Sequence, residues 1–393
     1  MQHGGLVLIL LTLFITACQP EIAPPVITLV TPLEGEVLSG DGELTFTVLA
    51  PEGSLGEVVV QVGGYPVRFP AIELKSFGRF RVPLEVLELG EGEHGVLVTA
   101  SAVEREAFSA ASASRTFRVE LPPVGLEGLT VSPENVRQGQ PVVIDARFTG
   151  AATEVSGRLF ERDFNFYPVG GGGWRALAAC RLFAEPGTTP LLVSYADSLG
   201  RRKQEEFELS VRAGSFSSCY ITLSPGVGGK LSAETIERES ARVNEAVKRY
   251  SPEQLWEAGP FRRPVDGGRV TSPFGEKRTF STGGSESHIG TDFGGLAEGS
   301  PVYASARGRV VIAGEFIIRG HFVCLDHGRG LFTLYNHMSE TLVSEGEMVE
   351  AGQRIGSIGQ TGVATGPHLH FEVRLATWAV DPMTLLSEGL SFE

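Results

Sequence analysis

Gly366-Pro367-His368-Leu369-His370-Phe371-Glu372-Val373 decides how the last third of this chain is read. On a strand, alternate side chains leave the same face, so His368 and His370 project together about 7 Å apart. One of them can then bind a metal while the other reaches an adjacent water or substrate. The stretch lies in a region of short, glycine-punctuated strands that holds six of the chain's eight histidines, from His288 to His370. Two more short motifs stand in the same region: His288-Ile289-Gly290-Thr291-Asp292 and Tyr335-Asn336-His337-Met338.

The spacings carry chemistry that the motifs do not carry singly. On a straight strand His288 and Asp292 would stand about 13 Å apart, too far to share one zinc ion with bonds near 2.1 Å. The chain must bend between them, and Gly290 is where it can. Two imidazoles and one carboxylate leave a tetrahedral zinc with an open fourth position, the arrangement of catalytic sites. Such a position holds a water whose pKa zinc lowers to about 7.

From Gly267 to about Leu386 the sequence resembles the lysostaphin-type, LytM-like zinc endopeptidases. The resemblance rests on Ser272-Pro273-Phe274-Gly275, the His288–Asp292 motif, Gly299-Ser300-Pro301-Val302-Tyr303-Ala304, Tyr335–Met338, and Gly359-Gln360-Thr361-Gly362 through Val373. It implies a zinc metalloendopeptidase that cuts peptide cross-bridges of bacterial peptidoglycan, with His288, Asp292 and His370 as zinc ligands. It also implies that His337 and His368 orient and deprotonate the water. Asn336 and Met338 replace the commoner Ala and Leu beside His337, and the loop 280–287 aligns to no substrate-contacting tyrosine. A non-enzymatic LytM-like lipoprotein that regulates wall amidases is the alternative, but such proteins lose ligands that are all present here. A biotinyl- or lipoyl-type carrier, suggested by the turns around Gly346 and Gly352, fails because no lysine follows Lys277. His321, His327 and His94 read as structural or loop residues. Glu372 shares the strand face of His370, in a structural or supporting place.

Upstream, the period changes at residues 230–261, a helical linker. Ile236, Val243 and Val247 fall near one helix face, with Ser232 placed to cap it. Ser251-Pro252-Glu253-Gln254 signals a second, short helix. Before it lie two β segments, 26–122 and 124–224, both expected as immunoglobulin-like sandwiches. In the first, Leu44, Phe46 and Val48 share a face, and Val58–Val62 runs into a Gly63-Gly64 hairpin turn. The fold class is therefore mainly β: two sandwich modules, the short helical linker, and an antiparallel β-sheet peptidase domain over 262–393.

The N-terminus reads as an address. Leu6–Phe14 is a nearly unbroken apolar run, too short to span a bilayer, which takes about 20 residues. Ile15-Thr16-Ala17-Cys18 follows and resembles a bacterial lipobox, so residues 1–17 read as a signal peptide, Cys18 as the lipidated residue and 18–25 as a tether. The leader departs from the pattern in having no Lys or Arg in Met1-Gln2-His3. These features place the mature protein in the cell envelope, anchored to a membrane and facing peptidoglycan peptides. In such a compartment Cys180 and Cys219 are expected to pair as a disulfide, while Cys324 sits in an apolar strand. A formal net charge of −14 argues against nucleic acid as a partner.

Overall fold

The computed structural model describes residues 22–70, 76–87, 89–222, 232–281, 283–375 and 377–390. The signal peptide, Cys18 and the start of the tether lie outside the described residues. The chain is mainly β, and it divides into two compact units, Met1–Pro123 and Val124–Glu393.

In the first unit, strands Val26–Thr31, Glu43–Leu49 and Phe77–Pro83 form one sheet. Glu36–Ser39, Ala107–Glu120, Gly92–Glu104, Ser54–Val62 and Tyr65–Phe69 form another. Leu44, Phe46 and Val48 enter the same core as Val58, Val60, Val62, Val96 and Val98, an arrangement compatible with a two-sheet sandwich. Gly63 and Gly64 close the hairpin with φ of 56° and 88°, the paired positive angles that a two-residue turn between twisted strands requires.

The second unit begins with an eight-stranded β module, residues 126–212, around its own core of Val142, Ile144, Leu191, Val193 and Tyr195. Pro141–Phe148 is buried on both faces over most of its length. Val143, together with Leu177 and Ala179 of the neighbouring strand Gly173–Ala179, packs into the core of the C-terminal sheet beside Leu375 and Val380. The run Val142-Val143-Ile144 shows this in the sequence, because a strand with one wet face alternates and this one does not. The middle module and the C-terminal sheet thus share a core.

The C-terminal sheet is antiparallel, as expected. Its central order is Arg269–Ser272, Thr291–Gly294, His368–Leu375, Leu331–Thr341, Gly320–Gly328, Gly308–Phe316 and Met348–Val349. Phe293, Leu369, Phe371 and Val373 face the shared core. The helix Ala233–Val247 covers part of the other face, seating Val243, Ala246 and Val247 on Phe322, Cys324, Phe332 and Leu334.

Three expectations about this unit are corrected. Ser232 caps the helix, its Oγ accepting from Thr235 N at 3.2 Å, but Ile236 stays 44% exposed and Glu239 is buried in its place. Glu239 is satisfied there because its carboxylate accepts the backbone N–H of Ile317 at 2.6 Å and Ile318 at 3.1 Å. Ser251–Gln254 is not helical. The chain here is tied to the hairpin 326–329 instead: Arg329 N donates to Ser251 O, and the next residue along, Leu255, donates its N–H to His327 O. Cys180 and Cys219 are both free thiols. Cys180 is sealed in the core of the middle module, whereas Cys219 lies on the strand Ser218–Ile221 and donates to Glu276 Oε2 at 3.3 Å. Among the described residues, no helix is long and apolar enough to cross a membrane.

Candidate metal centre

Strand register sets the centre. Asp292 stands directly opposite His370, and His370 directly opposite Asn336, so three neighbouring strands present one row on one face. His288 precedes the first of these strands and returns to the same point through a bend at Gly290. Gly290 is needed for close approach: a Cβ there would lie 2.6 Å from Phe371 O and 2.8 Å from His370 Cε1 and Nε2.

Three donor atoms converge. His288 Nε2 is 2.8 Å from His370 Nδ1 and 3.1 Å from Asp292 Oδ1, and His370 Nδ1 is 2.8 Å from the same Oδ1. The outer atoms of each group are already used. His288 Nδ1 donates to Pro273 O at 2.9 Å, His370 Nε2 meets Glu372 Oε1 at 3.3 Å, and Asp292 Oδ2 accepts from Arg278 Nη2 at 2.5 Å. In neutral rings those outer bonds leave both inner lone pairs aimed at a carboxylate oxygen, an arrangement that repels unless a cation, or a shared proton, sits among them. A tetrahedral zinc with bonds near 2.1 Å would want ligand–ligand edges of about 3.4 Å, only slightly wider than those observed. The donor set and its spacing therefore fit the ion.

Electrostatics agree with a site built around charge. Burial raises the Asp292 pKa, but the close approach of His288 and His370 outweighs it and holds the carboxyl well below the usual range. Burial holds the His288 imidazole below its ordinary value despite the bond to Asp292. For His370 burial also lowers the pKa, but the neighbouring Asp292 and Glu372 carboxylates bring the net shift upward.

His337 and His368 flank this triangle. His368 Nε2 lies 3.9 Å from Asp292 Oδ1, and its Nδ1 is held by Gly366 O at 2.8 Å. The His337 ring centroid is 4.9 Å from that of His368, and its Nδ1 is held by Thr361 O at 2.9 Å. Both bonds put the ring proton on Nδ1 and the lone pair on Nε2. Burial depresses the pKa of both imidazoles, that of His337 well below its ordinary value, where the nearby His368 and His370 add to the effect.

How His337 reaches the site was hidden from the sequence. It follows Asn336, which already faces the site, so simple alternation would send it to the other face. A register shift against the strand Gly320–Gly328 and a φ of 63° at His337 re-aim it, and His337 N is tied to Arg319 O at 2.8 Å. The supporting groups Arg278, Ser272 and Arg319 were also missed, since nothing in their spacing separates them from surface residues. Asn336 is more than a replacement for Ala: its Nδ2 donates to His370 O at 3.1 Å, and its Oδ1 accepts from Arg319. His327 is structural, as expected, bound by Arg307 O and Thr333 Oγ1, with burial lowering its pKa to about 4. His94 lies not in a loop but on the strand Gly92–Glu104, opposite Phe117, and its Nε2 bonds to Gly90 O.

Residues 286–382 match the model of Peptidase family M23. An uncharacterized metalloprotease of Haemophilus influenzae is 42% identical over 125 residues, 31% of this chain and 26% of that protein. The peptidoglycan DD-endopeptidase ShyB of Vibrio cholerae is 39% identical over 125 residues, 31% of this chain and 29% of its own length. The DD-carboxypeptidase/endopeptidase Mpg of Neisseria meningitidis is 37% identical over 132 residues, 33% of this chain and 30% of its own. The chain thus spans less than a third of the length of these relatives. The matched segment contains His288, Asp292, His337, His368 and His370, and the C-terminal part of this chain is a domain of peptidase family M23.

Proposed function

We propose that the C-terminal domain is a zinc metalloendopeptidase that hydrolyses peptide bonds in the cross-bridges of bacterial peptidoglycan. The observation that carries the metal is the triangle of His288 Nε2, His370 Nδ1 and Asp292 Oδ1 with sides of 2.8 to 3.1 Å. The substrate class is supported by the names of the Vibrio and Neisseria relatives. Zinc, when bound, would polarise the scissile carbonyl and bring the pKa of a water toward 7. The Nε2 lone pairs of His337 and His368 are placed to take the proton of the attacking water. The protonated imidazole can return it to the leaving amine and hold the developing oxyanion. Arg278 Nη2 donates to Asp292 Oδ2 and so orients the carboxylate with Oδ1 toward the two histidines.

Mass spectrometry of purified cell wall digested with zinc-loaded protein lacking residues 1–18 tests this reading. Cross-linked dimer muropeptides should fall and monomers rise. An unchanged dimer fraction would overturn it.

We place the protein at the envelope through a lipid on Cys18, from the apolar run and the tetrapeptide that end there. Labelled fatty acid should enter the wild-type protein in a bacterial host and be absent from Cys18→Ser. Absence from both would exclude the anchor.

A further inference from the structure

Behind His370 stands a buried carboxylate with no part in the steps above. Glu372 is 1% exposed and two residues along the same strand face. Its Oε1 lies 3.3 Å from His370 Nε2 and accepts from Arg319 Nη1 at 2.7 Å. Its Oε2 accepts from Arg374 Nη2 at 2.6 Å and Nε at 3.0 Å. A carboxylate with three acceptor bonds to guanidinium groups can swing little. One acceptor direction of Oε1 is left for the histidine ring.

We propose that Glu372 is a positioning residue that fixes the tautomer of His370. By accepting the Nε2–H it leaves the lone pair on Nδ1, the atom that faces His288 and Asp292. A ring with the opposite tautomer would aim a proton at the place where the cation must sit. The proposal rests on the zinc reading of the triangle and adds to it the group that makes His370 a ligand through Nδ1.

Arg319 is what holds Glu372 in register with the rest of the site. The same Nη1 donates to Asn336 Oδ1 at 3.0 Å, and the backbone oxygen of Arg319 accepts from His337 N at 2.8 Å. One residue therefore braces the strands that carry His370 and His337. The turn on which it sits is fastened to the preceding helix by Glu239, whose carboxylate accepts from Ile317 N and Ile318 N. The helix Ala233–Val247 thereby supports the centre without touching it.

The test measures zinc affinity by competition with a chelator, together with the melting temperature of the zinc-free protein. Glu372→Gln keeps the shape but loses the charge, and one of its two ends becomes a donor facing a guanidinium or the ring. Zinc affinity should fall about 10- to 100-fold, the usual cost of losing the carboxylate behind a ligating histidine. In ¹⁵N spectra of the zinc-loaded wild type, His370 should show a metal on Nδ1 and a proton on Nε2, and Glu372→Gln should disturb that pattern. Arg319→Lys keeps the charge but cannot serve both Asn336 and Glu372, so it should weaken zinc binding by a smaller factor, and it decides the matter if Glu372→Gln does not fold. Wild-type affinity in a folded Glu372→Gln, or in Arg319→Lys when the first is unfolded, overturns the proposal. Wild-type protein that binds no zinc overturns the reading of the triangle instead.

Discussion

His368→Ala should keep its zinc and lose cleavage, whereas His370→Ala should lose both. The two side chains leave one strand face two residues apart, so a mutation at either disturbs the fold to a similar degree. Their surroundings differ. His370 Nδ1 is 2.8 Å from both other donors, so its loss removes one vertex of the triangle. His368 Nε2 stops 3.9 Å from Asp292, and its Nδ1 is spent on the Gly366 carbonyl, which sets the ring beside the triangle and not in it. Loss of a general acid–base group costs about 100-fold or more in rate, without a corresponding loss of metal. His337 belongs with His368, but alanine is a poor probe there. The residue sits at φ 63°, where alanine is strained, while asparagine tolerates that conformation and removes the imidazole. His337→Asn should therefore also retain zinc and lose activity. Zinc analysis with muropeptide cleavage on the three variants checks the assignment. Zinc loss in His368→Ala with full occupancy in His370→Ala would reverse it, and full activity in both would sink the peptidase reading.

What could be read in the sequence, and what could not, follows from where the determining forces act. Leu44, Phe46 and Val48 announce their face because burial on one side of a strand writes a period of two into the chain. Gly63-Gly64 announces a turn because positive φ at two successive positions is costly for other residues. His368 and His370 share a face for the same reason of period, and their roles followed from family resemblance. The rest depended on partners far along the chain. Helical periodicity could place Val243 and Val247, but it put Ile236 inward because it gave no weight to a carboxylate. Glu239 is buried since two backbone N–H groups of the turn 316–320 need an acceptor, a demand that arises some 80 residues downstream. Ser251–Gln254 has a good local helix start, yet the backbone bonds to Arg329 and His327 outweigh a preference worth about 1 kcal/mol per cap. The Cys180–Cys219 pairing was inferred from compartment and count. Both thiols lie in the second unit, and the structure gives them unrelated surroundings.

Gly290→Ala should abolish zinc binding almost as fully as removing a ligand, although residue 290 offers no donor atom. The backbone there has no left-handed φ, so alanine is conformationally allowed and crowding alone decides the outcome. Its Cβ would meet a backbone oxygen, Phe371 O, at 2.6 Å and the His370 ring at 2.8 Å, both well inside van der Waals contact. Rotating a distant side chain cannot relieve the first contact. The segment that carries His288 must move away from the strand His368–Leu375 by several tenths of an ångström. Metal sites tolerate errors of about 0.2 Å in ligand distance, so the triangle would be opened beyond use on one side. Zinc affinity should fall 100-fold or more, cleavage should drop with it, and overpacking should lower stability by about 1–3 kcal/mol. Gly314→Ala is the matched control: it lies on the strand Gly308–Phe316, has nothing within 4 Å of its built Cβ, and should change neither property. Zinc titration and thermal melting on the two variants would decide. If Gly290→Ala binds zinc as tightly as the wild type, His288 does not reach the metal through this bend, and the third vertex of the triangle must be sought elsewhere.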